Sequence, residues 1–279
     1  MFQDIAPHRL HIAYTPRKPQ VGDYLIYIQD DKVLVVNNGI QTLPQHGIEP
    51  FKNVDDENPL QFLFSVDEIS FFYVLGNYKV YEKTMWHRNS FLRMMQPAWI
   101  AFAVATAFHL AKWYDSHRYC GHCNTPFERL VTERALRCPM CNAKEHPKIS
   151  PGIIAGIADG DWLLLTKYAT GEYQRYALVA GFVEIGETFE DAVRREVMEE
   201  VGLEVHDIHY YKSQPWGFSQ SLLAGFFAKA DRSKKLLVDS GELAEAVWCH
   251  REELPHDDAI ALSLTWDMIE AFRRGEKQT

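Results

Sequence analysis

The 279-residue chain lacks any apolar run long enough to cross a bilayer. Its longest uncharged apolar stretch, Trp99 to Ala111, contains Thr106 and His109 and falls short of the roughly 20 residues a spanning helix needs. We read it as a buried helix and expect no membrane partner. The opening MFQDIAPHRL has an early acid and no apolar core of the secretory kind, so cytoplasmic residence is expected. Basic charge is scarce: 29 Lys and Arg face 38 Asp and Glu, a net charge of -9. Nonspecific coating of nucleic acid needs a basic excess and is excluded, although a local basic pocket for phosphates is not. Cysteines number five, four of them in two C-x-x-C pairs. That is a metal pattern of a reducing compartment, not a disulfide framework. The leftover Cys249 reads as a small buried apolar residue. What remains is ordinary for a globular chain, 47% hydrophobic and 24% charged, with a length suited to two domains or three small ones.

Patterning divides the chain into four stretches. Residues 1–95 are β-rich. The runs Tyr24 to Tyr27 and Val33 to Val36 flank a turn at Asp30-Asp31. Phe62 to Leu75 and Tyr78 to Tyr81 add further runs, and Asn53 to Pro59 reads as a loop. Residues 96–116 form a connecting helix with Pro97 at its start, where a missing N–H does no harm. Residues 117–148 carry the cysteines. Residues 149–279 alternate strands and helices: Gly152 to Ala158, Trp162 to Thr166, Arg175 to Val179, Val205 to Tyr211 and Leu222 to Ala228 are strand-like. Thr188 to Val201 and Leu262 to Arg274 are helical, and Gly202 is placed to end the first of these. The class is α+β.

Cys120-Gly-His-Cys123 and Cys138-Pro-Met-Cys141 are separated by fourteen residues. Each pair offers two thiolates from one tight turn, and together they complete the tetrahedron that Zn²⁺ prefers. Four thiolates leave no position for water, so one structural zinc per chain is expected, with His117, His122 and His146 outside its shell. From Asp115 to Lys148 six basic and four acidic residues leave only two positive charges, which favours a structural role over RNA binding.

On a helix at 100° per residue, Glu196, Glu199 and Glu200 fall within one arc of about 100°, beside an apolar stripe of Val193, Val197 and Val201. Like charges at this spacing repel, and acids in a last helical turn oppose the dipole. A divalent cation removes both penalties. Oxygen ligands suit Mg²⁺ or Mn²⁺, which bridge phosphate oxygens.

The segment Gly181 to Leu203 fills every fixed position of the pattern G-x5-E-x7-R-E-U-x-E-E-x-G-U: Gly181, Glu187, Arg195, Glu196, Val197, Glu199, Glu200, Gly202 and Leu203. It resembles the signature of the Nudix hydrolases. Downstream, Ser213-Gln-Pro-Trp-Gly-Phe-Ser-Gln-Ser221 is similar to the SQPWPFPxS motif of the NADH pyrophosphatase branch, with Gly217 and Ser219 in place of two prolines. The order of β-rich domain, four-cysteine zinc ribbon and final domain also resembles that branch. His146 stands where many relatives carry a tyrosine. The glycine and serine lead us to expect a more flexible loop.

The resemblance implies a Nudix α/β/α sandwich behind a β-rich domain and a zinc ribbon. It implies hydrolysis of NADH, and less readily NAD⁺, to nicotinamide mononucleotide and AMP, with NAD-capped RNA as a further substrate and a homodimer as the assembly. An ADP-ribose or other dinucleotide pyrophosphatase is the alternative among enzymes. The alternative of another class is a zinc-ribbon nucleic-acid-binding or regulatory protein on an inactive Nudix scaffold. The complete glutamate set and the net charge argue against that. Carried over residue by residue, Glu196, Glu199, Glu200, the Ala180 carbonyl and Glu242 would hold Mg²⁺ or Mn²⁺, with Glu245 the runner-up to Glu242. Glu200 is the first choice as base and Glu199 the second. Glu187 and Arg195 would support the ligands. Phe182, Trp216 and Phe218 would stack on bases, and Gln214, Ser219 and Ser221 would offer hydrogen bonds. Ser213, Pro215, Gly217 and Gln220 complete that loop. His146, Ala261, beside Ile260, and Arg93 are further substrate candidates.

Overall fold

The computed structural model describes residues 1–37, 41–42, 60–75, 84–170, 175–255 and 262–276. The expected loop Asn53 to Pro59, the run Tyr78 to Tyr81, and Ile260 and Ala261 lie outside these residues. Packing divides the chain into two compact units. One comprises Gln3–Lys148 and Trp216–Gln220; the other comprises Met1–Phe2, Ile149–Pro215 and Ser221–Thr279.

In the first unit, β1 (Leu10–His11), β2 (Tyr24–Ile26), β6 (Leu60–Val66) and β7 (Ile69–Val74) form one sheet in the order β1-β6-β7-β2. A second sheet holds β3 (Ile28–Gln29), β4 (Lys32–Asn37), β5 (Gln41–Thr42) and β8 (Thr84–Arg88). The hairpin at Asp30-Asp31 forms between β3 and β4, with Asp30 left-handed at φ 53°. Tyr24–Ile26 does not join it. That strand pairs in parallel with β7 in the neighbouring sheet. Leu25, Tyr27, Leu34, Phe62, Phe72 and Val74 pack into a shared core. Helix α1 (Ala98–Ser116) starts after Pro97, and its Ala101, Ala103, Ala105, Ala107 and Ala111 are all buried. Small side chains let neighbouring backbone approach closely.

The ribbon follows as three short strands, β9 (Glu128–Arg129), β10 (Leu136–Arg137) and β11 (Lys144–Glu145), in the order β11-β10-β9. Its two cysteine turns are built alike. Asn124 N–H donates to the Cys120 carbonyl at 2.8 Å, and Asn142 N–H donates to the Cys138 carbonyl at 3.0 Å. Asn124 and Asn142 take φ of 57° and 58°, a conformation asparagine tolerates better than most residues.

The second unit is a six-stranded sheet. β12 (Ser150–Asp159), β13 (Trp162–Tyr168), β15 (His206–Trp216), β16 (Ser221–Lys229) and β17 (Leu243–His250) run in the order β15-β16-β12-β13-β17, and β14 (Val179–Phe182) also pairs with β12. Side chains of a strand alternate between faces, and two separate cores result. Ile153, Ile157, Leu164 and Phe226 meet Val193, Val197 and Val201 of α2 (Phe189–Val201). Ile154, Leu163, Leu165 and Phe227 meet Leu264, Met268 and Phe272 of α3 (Leu264–Arg273). A sheet with a helix on each face is an α/β/α sandwich. Among the described residues no helix is long and apolar enough to cross a membrane.

Candidate functional site

Helix α2 is held at both ends by its own residues. Thr188 caps it by accepting the Asp191 N–H at 3.1 Å, and Gly202 ends it with φ 70°. A Cβ at Gly202 would lie 2.6 Å from Leu237 Cβ, so glycine is needed for conformation and for space. The valine stripe anchors one side of α2 in the core, which places Glu196 and Glu200 against β14 and leaves Glu199 exposed.

Arg195 joins the acids. Its Nε donates to Glu187 Oε1 at 2.8 Å and its Nη2 to Glu187 Oε2 at 2.9 Å. Its Nη1 donates to Glu196 at 2.8 Å and to Glu199 at 3.0 Å, and Nη2 also reaches the Phe182 carbonyl at 3.0 Å. Only a planar fork of several donors serves so many oxygens at once. The Arg195 guanidinium, helped by the Glu184 N–H, lowers the Glu187 carboxyl to about 2. Glu196 lies against the signature glycine: a Cβ at Gly181 would fall on its carboxylate. The first residue of the pattern is therefore a space requirement set by an acid fifteen positions later.

Glu200 is 3% exposed, and its Oε2 is buried with no hydrogen-bond partner. Burial raises its pKa to about 8, and the charges of Glu196 and Glu242 add to the rise; the Ala180 N–H, hydrogen-bonded to it, works against this. Burial raises Glu196 as well. Arg195 opposes that rise, and Glu199 and Glu242 reinforce it. Glu242 is brought close by the chain that follows α2. Leu237 N–H donates to the Val201 carbonyl and Asp239 N–H to the Glu200 carbonyl, each at 2.9 Å. Glu245 sits on β17 opposite Lys167, where Tyr176 donates to it at 3.4 Å. Among the described residues, the donor atoms close enough together for one ion are the four ribbon sulfurs; Glu196 and Glu199 instead share the Arg195 guanidinium, and the buried, unpartnered Oε2 of Glu200 is the observation that points to a cation here.

The four ribbon sulfurs lie within 4.8 Å of one another. Cys120–Cys141, Cys123–Cys138 and Cys123–Cys141 separations are 3.6, 3.4 and 3.7 Å. Sulfurs about 2.3 Å from a tetrahedral zinc would be about 3.8 Å apart, so the donor set fits Zn²⁺. Hydrogen bonding to Thr125 lowers the Cys123 thiol to about 6. Of the nearby histidines, His117 Nδ1 contacts the Trp113 carbonyl and His146 Nε2 contacts Glu133 at 3.2 Å.

The Ser213–Ser221 loop differs from expectation at two residues. Gln214 is fully buried. Its amide donates to the Leu262 carbonyl and its Oε1 accepts the Leu264 N–H, both at 2.8 Å. It ties β15 to the start of α3 and is not placed to offer those groups to a ligand. Gly217 is not a hinge: a Cβ there would lie 2.1 Å from the Ala105 carbonyl oxygen of α1. Close backbone contact accounts for the glycine, and flexibility does not. Trp216 and Phe218 stand with ring centroids 4.7 Å apart, and the Arg93 guanidinium lies 5.1 and 5.2 Å from them. Ser219 N–H donates back to the Trp216 carbonyl at 3.3 Å, and Gln220 makes the turn at φ 57°. Ser213 is half-buried and Pro215 exposed. Ser221 is buried where β16 pairs with Ser150. Phe182 is 54% exposed. His146, Arg93, Trp216 and Phe218 belong to the first unit, whereas Phe182 and the glutamates belong to the second.

Residues 148–267 match the model of the NUDIX domain, so the chain carries a Nudix domain. Residues 115–145 match the NADH pyrophosphatase zinc ribbon domain. The ribbon ahead of the Nudix domain is thus of the NADH pyrophosphatase type. Among curated relatives, the NAD-capped RNA hydrolases NudC of Salmonella paratyphi C and Citrobacter koseri are 44% and 43% identical over 146 residues. The match covers 52% of this chain and 56% of each relative, so the chain spans about half the length of the relatives it matches. The crystal structure of a NUDIX hydrolase from Nitrosomonas europaea aligns with a TM-score of 0.47 at 19% identity, over 57% of this chain and 92% of that one.

Proposed function

We propose that this protein hydrolyses the pyrophosphate bond of NADH and NAD⁺, giving AMP and nicotinamide mononucleotide in its reduced or oxidised form respectively, and releases nicotinamide mononucleotide from NAD-capped RNA. The observation that carries this reading is Glu200, a buried acid with an unpartnered oxygen, ringed by Glu196 and Glu242 in a Nudix domain. The relatives named as NAD-capped RNA hydrolases and the NADH pyrophosphatase ribbon support the choice of substrate.

Glu196, Glu199, Glu200, Glu242 and the Ala180 carbonyl would hold Mg²⁺ or Mn²⁺, and the surroundings of Glu242 favour it over Glu245. When bound, the cation neutralises charge on the diphosphate and makes water a better nucleophile. The chain's own residues do the rest. Glu200 would serve as base, with Glu199 the second choice. Arg195 holds Glu196 and Glu199 in one orientation and is itself fixed by Glu187. Exposed Phe182 offers a face for a base, as do Trp216 and Phe218 beside Arg93. The ribbon zinc is structural. We further read the protein as a cytoplasmic homodimer with boundaries near residues 95, 116 and 148.

The test is turnover of NADH, NAD⁺, ADP-ribose and NAD-capped RNA by the full chain with Mg²⁺ or Mn²⁺. Glu196→Gln and Glu200→Gln should each lower kcat by orders of magnitude in a folded protein. Wild-type turnover in both would overturn the assignment.

A further inference from the structure

The first unit contains a cavity of about 770 Å³ that the Nudix chemistry does not use. It is a half-open cleft lined by Tyr14 and residues 16–19, by residues of β6 and β7, and by ribbon residues 127–131. Phe62 and Phe72, both buried, form its floor, and half-buried Tyr14 and Phe127 form its walls. Exposed Lys18 and half-buried Arg129 stand at its edge.

Two features set this cavity apart from a packing fault. Its walls are fixed before any ligand arrives. Tyr14 donates to the Leu130 carbonyl at 3.2 Å and accepts from Gln61 Nε2 at 3.1 Å, and Arg134 covers the ring at 5.2 Å. Arg17 ties the segment down, donating to buried Asp23 at 2.8 Å and to the Glu68 carbonyl at 3.2 Å, while Pro16 and Pro19 restrict its backbone. A preformed site loses little entropy on binding. Its charge also runs against the chain. In a protein of net charge -9, the lining holds Arg17, Lys18 and Arg129 with one acid, Glu128; Arg17 is neutralised by buried Asp23, which leaves Lys18 and Arg129 as the basic pair of the lining. Glu128 lies 3.8 Å from Arg137, which offsets it. Flat apolar walls with a basic edge suit a planar ring that carries a negative group.

We propose that this cavity binds a nucleotide unit, its base against Phe127 and its phosphate at Lys18 and Arg129. The unit is either a free mononucleotide or one residue of a single-stranded RNA. The site is separate from the glutamate site, and its existence does not rest on the hydrolase reading.

Equilibrium dialysis of the zinc-loaded full chain tests this with two probes, AMP and a 5′-phosphorylated oligoadenylate. Wild type should bind one equivalent of probe at this cavity, in addition to any held by the Nudix domain and more weakly as salt rises. Phe127→Ser should weaken that equivalent about tenfold to a hundredfold, the range for loss of one stacking aromatic. Lys18→Glu, at an exposed position that leaves folding intact, should weaken it about tenfold while NADH turnover is unchanged. Loss of the AMP equivalent in these variants assigns the site to free nucleotide. Loss of the oligoadenylate equivalent alone assigns it to a strand. Either supports the proposal, whether or not the protein hydrolyses NADH. Absence, for both probes, of any bound equivalent that Phe127→Ser and Lys18→Glu weaken overturns it.

Discussion

A carboxyl group as buried as Glu200 gives up its proton reluctantly, and this has a consequence for stability. Its pKa is raised to about 8 in the folded chain, against about 4.3 in an unfolded one. Between these values the folded state holds the extra proton, so stability without a divalent cation should fall as pH rises from about 4.3 to about 8 and level off above. Urea unfolding across that range should show the slope. Glu200→Gln should flatten it, and saturating Mg²⁺ should reduce it in wild type. At Gly217 the expectation concerns shape. Gly217→Ala should destabilise by about 1–3 kcal/mol, as overpacking does, and Gly217→Pro by at least as much. A melting temperature raised by either would contradict the contact with Ala105. Both residues show what a sequence can convey. The grouping of Glu196, Glu199 and Glu200 followed from helical spacing alone. The burial of Gln214 and the crowding at Gly217 depend on Leu262, Leu264 and Ala105, partners far along the chain that no local pattern announces.

Helix α2 was legible as an element because its limits are written in its own residues: Thr188 before it, Gly202 after it, and a valine stripe between. Thr188→Ala should cost about 1 kcal/mol, as other cap deletions do. Gly202→Ala should cost more, since it forces a left-handed residue and meets Leu237; the two unfolding midpoints make the comparison. Arg195→Lys should lower kcat strongly with little change in melting temperature, because one ammonium cannot serve Glu187, Glu196 and Glu199 together. Equal losses of activity and stability would show Arg195 to be a structural tie only. The ribbon turns were legible for the same local reason, the C-x-x-C spacing. Strand β2 was not. Tyr24 to Tyr27 is apolar throughout, and a uniform run does not say which neighbour it will join; here Ile26 ends the pairing with β7 and Ile28 begins the hairpin.

For the whole molecule, the ribbon's four sulfurs without a cation would be a source of repulsion, so zinc should contribute to folding of the unit that contains it. Cys138→Ser should lower zinc content from about one ion per chain and reduce the melting temperature before it affects turnover in the proposed reaction. A zinc-free variant with an unchanged melt would refute this. The order of zinc ribbon and Nudix domain was readable from motifs, but the grouping of Trp216–Gln220 with the first unit was not, since it reverses chain order. Chain order matters in one more respect. β12 lies in parallel beside β16 from Ser150↔Ser221 to Ala158↔Lys229, a pairing that spans the whole of α2 and β15. During synthesis on the ribosome, α2 and its acids emerge well before the strand that completes the sheet beneath them. The ribbon and the sheets ahead of it close through nearer contacts. Contacts so distant along the chain form slowly, so the last unit should mature only after residue 229 is released. Pulse proteolysis of stalled nascent chains of increasing length should find the ribbon and the sheets ahead of it protected earlier.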